Sequence, residues 1–533
     1  MADTIYRARR VITMAEEDAE AFCVQGGRIA AVGRAADLAE RFAGAERVDL
    51  GDAVVTPGFE DAHMHLLMAA EDVLHLDLSA ASVRSLAEIR TTIADEARTT
   101  PLGGWIRGSR YDDAKMAEGR LLTRFDLDEA APDHPVLVVH VAAHWGVVNS
   151  RALELAGIDD LSAPPPGGDY GHDASGRHNG VLYEQALFDF ANPQVSRTGG
   201  SVAPASTLEE RMTGLGKAVR MFHAAGLTSI GDAMVGADDL VLLAEAERRG
   251  ILTLRVNALI SAEQHDAVLA AGGLPDCVER VRIGGVKTFV DGAIGGRTCL
   301  LEQPFEGTSD DYGIQTRTTA ELRDVVRGAH EHGLPACVHA NGDRAIRLIL
   351  DVFEEAQASH PRPGLRHRIE HCSIVSEDIL ARMRRLGATA VPFGSYVHYH
   401  GGKLLDWYGE RRVGRMFAHR WLLDAGVGVA GSSDFPCGPF EPLLALQSCV
   451  TRHGFDGAPV GVDQRITARE ALSLYTTRAA EAAGQGGERG RIAPGMPADF
   501  VVLGDDPLSV DGAALASIPV LATYVGGTRC HAG

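Results

Sequence analysis

The stretch of sequence that decides the fold is Thr56–His65, which reads TPGFEDAHMH. An apolar pair, Val54-Val55, precedes it, and two histidines close it. In a β-strand, residues i and i+2 point to the same face, so His63 and His65 can bind one metal ion together. A His-x-His pair also occurs among ordinary core and surface histidines. The stretch therefore predicts a buried strand that ends in a candidate metal-binding pair.

This strand is the first of eight apolar runs that are suited to buried parallel strands. The runs are Val54–Asp61, Leu227–Asp232, Leu252–Leu259, Val281–Val290, Leu334–His339, His367–His371, Ala388–Pro392 and Val427–Gly431. Helical patterns lie between most of them, as at Leu208–Ala225, Ala320–His332 and Asp343–Ala358. Eight parallel strands with helices between them predict an α/β fold, a (β/α)8 TIM barrel. A doubly wound open sheet is the alternative, but no Gly-rich nucleotide fingerprint supports it.

Short strand-like runs at both ends of the chain predict a second, smaller domain. We expect residues 1–56 and 485–533 to form one composite β-sandwich domain, and residues 57–484 to form the barrel domain. The gap between the first two barrel strands is too long for one crossover connection. Roughly residues 70–205 are therefore predicted to be an insertion at the mouth of the barrel.

The composition is that of an ordinary globular enzyme, since 45% of the 533 residues are hydrophobic and 23% are charged. The formal net charge of -21 argues against nucleic acid or an anionic membrane as a partner. Neither a membrane-spanning stretch nor a signal-peptide core is evident. The eight cysteines are scattered and form no Cys-x-x-Cys pair. We therefore expect a cytoplasmic protein with reduced thiols.

Lys287 stands inside the fourth predicted strand, where a charged side chain is costly to bury. Desolvation lowers the pKa of a lysine toward a neutral, nucleophilic amine. Such an amine can add carbon dioxide to give a carbamate, a bidentate anion that is able to bridge two metal ions. A snorkelling lysine or a buried ion pair is the alternative interpretation of this residue alone.

Three further residues lie at the ends of predicted strands: His339 and His371 each end one, and Asp434 follows the eighth. The two histidines could hold a second metal ion, since imidazole is a good zinc ligand, although each alone also fits a hydrogen-bonded core histidine. Asp434 could bind the first metal ion and take a proton from the attacking water, or it could cap a helix. Because barrel active sites lie at the C-terminal ends of the strands, the six residues together predict a two-metal hydrolytic site.

The chain resembles the amidohydrolase superfamily, and within it the branch of YtcJ-like proteins and N-substituted formamide deformylases (amidohydrolase family 3). The resemblance runs over nearly the whole chain through these motifs: PGFEDAHMH (57–65), VNSRAL (148–153), KTFVDGA (287–293), HANGDRA (339–345), RIEH (368–371), GSSDFP (431–436) and PGMPADF (494–500). It implies a binuclear metal centre with Lys287 carboxylated and with these metal ligands: His63, His65, Lys287, His339, His371 and Asp434. Asn341 departs from the pattern, since the family more often has an apolar residue there.

The ligand set and the resemblance predict a metal-dependent amidohydrolase that holds two zinc ions and hydrolyses a non-peptide C–N bond through a metal-bridging hydroxide. Asp434 and Lys287 would be its catalytic residues, and family analogy makes an N-formyl or other N-acyl amine the first choice of substrate. One alternative is a decarboxylase or another lyase. Cyclic-amide hydrolysis and deamination on the same site are others. A catalytically silent binding protein is disfavoured by the complete ligand set.

Five weaker candidates for substrate contacts lie near the predicted active face: His144, His398, His400, Asp291 and Arg297. A structural role or a solvated loop is the alternative for each of them. The expected partner is a small-molecule amide, with neither nucleic acid nor membrane involved. A homodimer is also expected, because barrel hydrolases often self-associate.

Overall fold

The computed structural model describes residues 3–191, 196, 201–274 and 278–533. Contacts within the chain divide it into two units, Met1–His65 with Val219–Gly533 and Leu66–Ala218. Among the described residues, no helix combines the length and the apolar character needed to cross a membrane.

The strands are numbered along the chain as follows: β1 (Thr4–Val11), β2 (Ala19–Gln25), β3 (Arg28–Gly33), β4 (Glu46–Asp49), β5 (Val54–Pro57), β6 (Phe59–Met64), β7 (Leu76–Asp77), β8 (Ile106–Tyr111), β9 (Val136–His140), β10 (Trp145–Val148), β11 (Gly168–His172), β12 (His178–Glu184), β13 (Leu227–Val235), β14 (Arg255–Ser261), β15 (Val281–Phe289), β16 (Ala336–Ala340), β17 (Arg368–His371), β18 (Thr389–Val391), β19 (Gly428–Val429), β20 (Phe500–Leu503), β21 (Val520–Val525) and β22 (Thr528–Ala532). The α-helices are α1 (Ala35–Arg41), α2 (Leu66–Asp72), α3 (Leu86–Ala97), α4 (Arg124–Ala130), α5 (Ser150–Ala156), α6 (Gln185–Ala191), α7 (Leu208–Ala224), α8 (Ala237–Arg248), α9 (His265–Ala270), α10 (Thr319–Glu331), α11 (Asp343–Ser359), α12 (Glu377–Leu386), α13 (Tyr396–His400), α14 (Lys403–Val413), α15 (His419–Asp424), α16 (Pro442–Thr451), α17 (Ala468–Leu474) and α18 (Thr477–Ala482). Short 3-10 helices lie at Asp113–Lys115, Ala262–Gln264, Val462–Gln464 and Gly512–Ser517.

Eight parallel strands of the larger unit form one curled sheet in the order β6-β13-β14-β15-β16-β17-β18-β19. Backbone hydrogen bonds join its two ends, from Ala62 to the carbonyl of Gly431 (3.1 Å) and from Asp434 to the carbonyl of His63 (2.9 Å). The fold is therefore TIM-barrel-like, as the eight apolar runs predicted.

Helices cover the outside of this sheet, and α11 shows why they form. Its buried residues include Ile346, Ile349, Leu350 and Phe353, an i, i+3, i+4, i+7 stripe that packs against β16. Helix α10 begins at a capping box, in which Thr318 and Glu321 satisfy each other's backbone N–H groups. Apolar spacing and capping thus fix where these helices lie along the chain.

The first predicted barrel strand proves to be two strands. Val54–Pro57 forms β5 in the sheet of the chain termini, and Phe59–Met64 forms β6 in the barrel. Gly58 separates them, and a Cβ atom there would lie 2.2 Å from Oγ1 of Thr228 on the neighbouring strand. Only glycine allows this close approach, so the chain leaves one sheet and enters the other at Gly58.

The remaining sheet of the larger unit combines strands from both ends of the chain, in the order β22-β21-β20-β5-β1-β2-β3 with β4 beside β1. The two ends meet where β20 pairs antiparallel with β5. One core cluster of this sheet contains Tyr6, Phe22, Phe500 and Tyr524, and a second includes Leu38 of α1. The strands are hydrogen-bonded into a single sheet, and the sandwich arrangement stays a prediction.

The smaller unit contains a six-stranded sheet in the order β11-β12-β10-β9-β8-β7. Two core clusters lie within it, and their large members include Ile89, Tyr111, Leu153 and Phe190. With a sheet and clusters of its own, Leu66–Ala218 is a compact structure and not an extended loop.

Candidate metal centre

The six predicted ligands all lie at the C-terminal ends of barrel strands. His63 lies near the end of β6 and His65 directly follows that strand, while Lys287 is in β15. The other three lie at later strands: His339 in β16, His371 at the end of β17 and Asp434 after β19. Each of the six is at most 8% exposed. Titratable groups so deeply buried at this end of a barrel are candidates for a functional site.

Five of the six side chains converge. Oδ1 of Asp434 lies 3.1 Å from Nε2 of His65 and 3.4 Å from Nε2 of His63. Nζ of Lys287 lies 3.2 Å from the same nitrogen of His63. The ligand atoms of His63, His371 and Asp434 all lie within 4.8 Å of one another. Imidazole nitrogens and a carboxylate oxygen at this spacing fit a divalent metal ion such as zinc.

His371 supports the same fit. Its Nδ1 atom is buried and, within the described part of the chain, has no hydrogen-bond partner. An unsatisfied buried polar atom costs about 1–3 kcal/mol, which a bound metal ion would remove. The ring is held in place by stacking on Phe393, with the two centroids 4.4 Å apart.

Unusual backbone conformations place two of the ligands. His371 has a φ of 69° and Asp434 a φ of 56°, both in the left-handed region that non-glycine residues seldom adopt. Neighbouring residues of a strand point to opposite faces, yet Glu370 and His371 both approach His63. The left-handed turn at the end of β17 makes this possible, and such strain is concentrated at functional sites.

His339 is oriented differently from the other five. Its ring centroid lies 4.5 Å from that of His371, but its Nε2 lies 3.1 Å from the carbonyl oxygen of Gly292 and 3.0 Å from Nδ2 of Asn341. The Asn341 amide also donates to Gly292, at 2.9 Å. A neutral His339 that donates from Nε2 to Gly292 has its acceptor lone pair on Nδ1. Its role as a ligand stays a prediction.

The protonation states suit metal binding. Burial lowers the pKa of His65 and holds that of His371 well below its usual value. Burial alone would raise the pKa of Asp434, but His371, His63 and His65 outweigh it and hold that pKa well below its usual value. Burial also lowers the pKa of Lys287. Neutral imidazoles beside an ionised carboxylate are the states that metal ligands require.

Asp61 is a residue of this site that the sequence did not single out. Its carboxylate accepts the backbone N–H groups of His63 (3.1 Å) and Ser433 (3.1 and 3.2 Å). It therefore ties the strand of the histidine pair to the loop that carries Asp434. Its position two residues before His63, inside an apolar run, was the available signal.

Arg368 and Glu370 were also missed. Nε and Nη2 of Arg368 donate to the two carboxylate oxygens of Glu370, at 2.7 and 2.8 Å. Oε2 of Glu370 also lies 2.5 Å from Nδ1 of His63. Burial alone would raise the pKa of Glu370, but Arg368 and His63 lower it to about 2. Two opposite charges at i and i+2 in an apolar strand mark a buried pair in the sequence.

Two of the predicted substrate contacts lie in the loop after β15. Asp291 is fully buried, and its carboxylate accepts backbone N–H groups of Leu300 (2.8 Å), Asn341 (3.0 Å) and Gly342 (2.8 Å). These bonds hold the loop against the end of β16. The guanidinium of Arg297 lies 5.3 Å from the ring centroid of Phe305. A role of either residue in substrate binding stays a prediction.

The other three predicted contacts are histidines. His398 and His400 lie in α13, where the ring of His400 packs 4.9 Å from Tyr396 and 5.6 Å from Trp407. His144 belongs to the smaller unit, and its Nδ1 lies 2.9 Å from Oε2 of Glu184. Substrate binding by these histidines also stays a prediction.

Comparison with known proteins identifies the family. The profile of the Amidohydrolase family matches residues 46–531, and that of the bacterial imidazolonepropionase-like composite domain matches residues 21–45. The chain is 32% identical to the N-substituted formamide deformylase of Arthrobacter pascens, over 97% of this chain and 96% of that protein. It is also 32% identical to the putative amidohydrolase YtcJ of Bacillus subtilis, over 98% of each. The crystal structure of an uncharacterized metal-dependent hydrolase from Pyrococcus horikoshii superposes with a TM-score of 0.77 at 25% identity, over 96% of this chain and 99% of that one. The chain belongs to the amidohydrolase family.

Proposed function

We propose that this protein is a metal-dependent hydrolase that acts on a carbon–nitrogen bond other than a peptide bond. The observation that carries the proposal is the buried cluster of His63, His371 and Asp434 at the C-terminal end of the barrel. The family and the structural similarity to a metal-dependent hydrolase support it.

We propose that the predicted ligands hold two metal ions and that both ions are zinc. His63, His65 and Asp434 would hold the first ion, and His339 and His371 the second, with carboxylated Lys287 between them. Zinc bound in this way supplies Lewis-acid chemistry, since it polarises a carbonyl and lowers the pKa of water.

Asp434 is the group that moves the proton. Its Oδ1 atom already contacts His63 and His65, so we assign proton transfer to Oδ2. Oδ2 takes a proton from the attacking water as the new C–O bond forms. It then gives that proton to the amide nitrogen as the C–N bond breaks, so that the carboxylate is regenerated. The products are a carboxylic acid and a free amine.

We propose an N-formyl or other N-acyl amine as the substrate class. The support is the similarity over nearly the whole chain to a protein named N-substituted formamide deformylase. A cytoplasmic location and a homodimer are further proposals, and sedimentation velocity would test the dimer.

A release assay tests this function. Zinc-loaded protein is incubated with N-formyl amines, other N-acyl amines and cyclic amides, and free amine is measured in water enriched in oxygen-18. We expect amine release with one labelled oxygen in the acid product, and loss of turnover in Asp434→Asn. If no compound is hydrolysed while two zinc ions per chain are confirmed by elemental analysis, this substrate class is wrong. Product without labelled oxygen would instead indicate a lyase.

A further inference from the structure

A buried ion pair on β17 contacts the neighbouring residues Ala62 and His63 of β6. Arg368 is 1% exposed and Glu370 is fully buried. The guanidinium holds both carboxylate oxygens, at 2.7 and 2.8 Å, and its Nη2 also donates to the carbonyl oxygen of Ala62 at 2.8 Å. The position of the carboxylate is thereby fixed relative to the backbone just before His63.

The carboxylate of Glu370 has a third contact, and this contact reaches a predicted metal ligand. Its Oε2 lies 2.5 Å from Nδ1 of His63. An ionised carboxylate can only accept, so Nδ1 carries the proton and Nε2 of a neutral ring keeps its lone pair. That Nε2 is the atom that faces Lys287 at 3.2 Å and Asp434 at 3.4 Å. The hydrogen bond thus selects both the tautomer and the ring orientation needed to bind a metal ion.

A second buried ion pair involves β6 and serves as a comparison. Glu60 on β6 is 3% exposed and is held by Arg489 at 2.6 and 3.0 Å. Arg489 lies between α18 and β20. The hydrogen bonds described for the Glu60 side chain lead to Arg489 alone. A buried ion pair by itself gives little net stability, so the extra contact of Glu370 calls for another explanation.

We propose that Glu370 is a positioning residue of the metal centre: held by Arg368, it fixes His63 with Nε2 directed at the metal ion. A carboxylate that accepts a hydrogen bond from the other ring nitrogen of a ligating imidazole also makes that imidazole a more basic ligand. The inference rests on the proposed metal centre, but it concerns metal binding and is tested without a substrate.

The test compares Glu370→Gln with the matched control Glu60→Gln, since each change neutralises one carboxylate of a buried pair with arginine. Metal-free protein is titrated with zinc in competition with a chromophoric chelator. We expect the affinity of Glu370→Gln to fall by about 10–100-fold, the range for changes at the partners of metal ligands. Glu60→Gln should bind zinc as the native protein does.

Cobalt supplies a readout that general loss of stability would not change. The visible d–d bands of the cobalt-loaded protein report on the ligand field, so they should differ from native in Glu370→Gln and be native-like in Glu60→Gln. If Glu370→Gln does not fold, Glu370→Asp keeps the charge beside Arg368 but withdraws it from His63. The same weakened affinity and altered bands are expected for it.

The outcomes separate this inference from the proposed function. Native zinc affinity and native cobalt bands in the Glu370 variants would overturn the positioning role and leave the hydrolase proposal standing. An equal loss of affinity in Glu60→Gln would also overturn it, because the effect would then belong to buried pairs in general. If the native protein binds neither metal, the proposed metal centre fails and the positioning role fails with it.

Discussion

At the scale of single residues, the amine of Lys287 shows a conflict between stability and chemistry. It is 1% exposed, lies 3.2 Å from Nε2 of His63 and stands 4.6 Å from the ring centroid of Phe289. Burial lowers its pKa, although the carboxylates of Asp434 and Glu370 oppose this effect. An amine in this position costs free energy that an apolar side chain would not, so its presence points to a chemical role.

Replacing Lys287 by methionine should therefore separate the effect of this residue on stability from its effect on catalysis. We expect Lys287→Met to bind at most one metal ion per chain and to lose amine release by at least about 100-fold, since changes outside the ligand set already cost ~10–100-fold. The free energy of unfolding of the metal-free protein should be unchanged or higher, because methionine fills similar space without a buried amine. Elemental analysis and urea unfolding measure the two effects.

Carboxylation of the same lysine has a direct test. Native protein incubated with carbon-13 bicarbonate and zinc should show a carbamate carbon signal by NMR. Lys287→Met should lack the signal, and the control Lys217→Met, at an exposed position, should keep it. A native protein without the signal would show that the metal ions are bridged by another group.

At the scale of elements, the barrel strands are the part of the fold that the sequence predicts well. The fourth predicted run, Val281–Val290, corresponds to β15 at Val281–Phe289, and the sixth, His367–His371, corresponds to β17 at Arg368–His371. Strands buried on both faces are continuous apolar runs, and a polar residue at the end of each run stands out. Strand order then places those polar residues at one end of the barrel.

What the sequence does not reveal is decided by contacts between distant residues. The break at Gly58 depends on the side chain of Thr228, and the third barrel strand begins at Arg255 and not at the predicted Leu252. Glu370 meets His63 across 307 residues. A charged pair in an apolar strand can be noticed in the sequence, but its partner depends on where the side chains meet in the folded barrel.

A chain of buried histidines joins three elements at the opposite end of the barrel strands. Nδ1 of His367 accepts the backbone N–H of Ala336 at 2.9 Å, so its Nε2 carries the proton and donates to Nδ1 of His330 at 3.0 Å. Nε2 of His330 in turn lies 2.6 Å from the carbonyl oxygen of His360. Every ring nitrogen has a hydrogen-bond partner while both rings are neutral, and an added proton would break one of these hydrogen bonds.

This arrangement predicts a loss of stability in mild acid. Burial, and then the neighbouring His330, lower the pKa of His367 to about 3, below the unfolded value of about 6.5. The unfolded chain therefore binds the proton first as the pH falls. The contribution of His367 to the free energy of unfolding is complete above pH 6.5 and is lost as the pH falls toward 3. At pH 5 the loss is about 2 kcal/mol.

Urea unfolding at pH 7 and pH 5 measures this difference. Other groups also titrate in this range, so the comparison is with His367→Gln. Between pH 7 and pH 5, the free energy of unfolding of this variant should fall by about 2 kcal/mol less than that of the native protein. An identical pH dependence in both proteins would mean that His367 is protonated in the folded barrel.

At the scale of the whole larger unit, a partly buried ion pair fastens the C-terminal part of the chain to the barrel. Arg255 on β14 holds the carboxylate of Asp499, just before β20, at 2.6 and 3.1 Å. The same carboxylate accepts the backbone N–H of Gly526 at 2.7 Å, in the turn between β21 and β22. One carboxylate thus links a barrel strand to two segments of the terminal sheet.

Breaking this link should therefore destabilise the protein far more than breaking a surface pair. In Arg255→Met, the carboxylate of Asp499 stays buried without its cation, and we expect a loss of about 3–5 kcal/mol in the free energy of unfolding. The control Arg7→Met removes an ion pair with Asp49 in which the two side chains are 59% and 61% exposed, and it should cost less than about 1 kcal/mol. Arg255→Met/Asp499→Leu should recover part of the loss, since no unpaired charge remains. Equal urea midpoints for the two single variants would show that the C-terminal segments are held by their strand pairing and not by this ion pair.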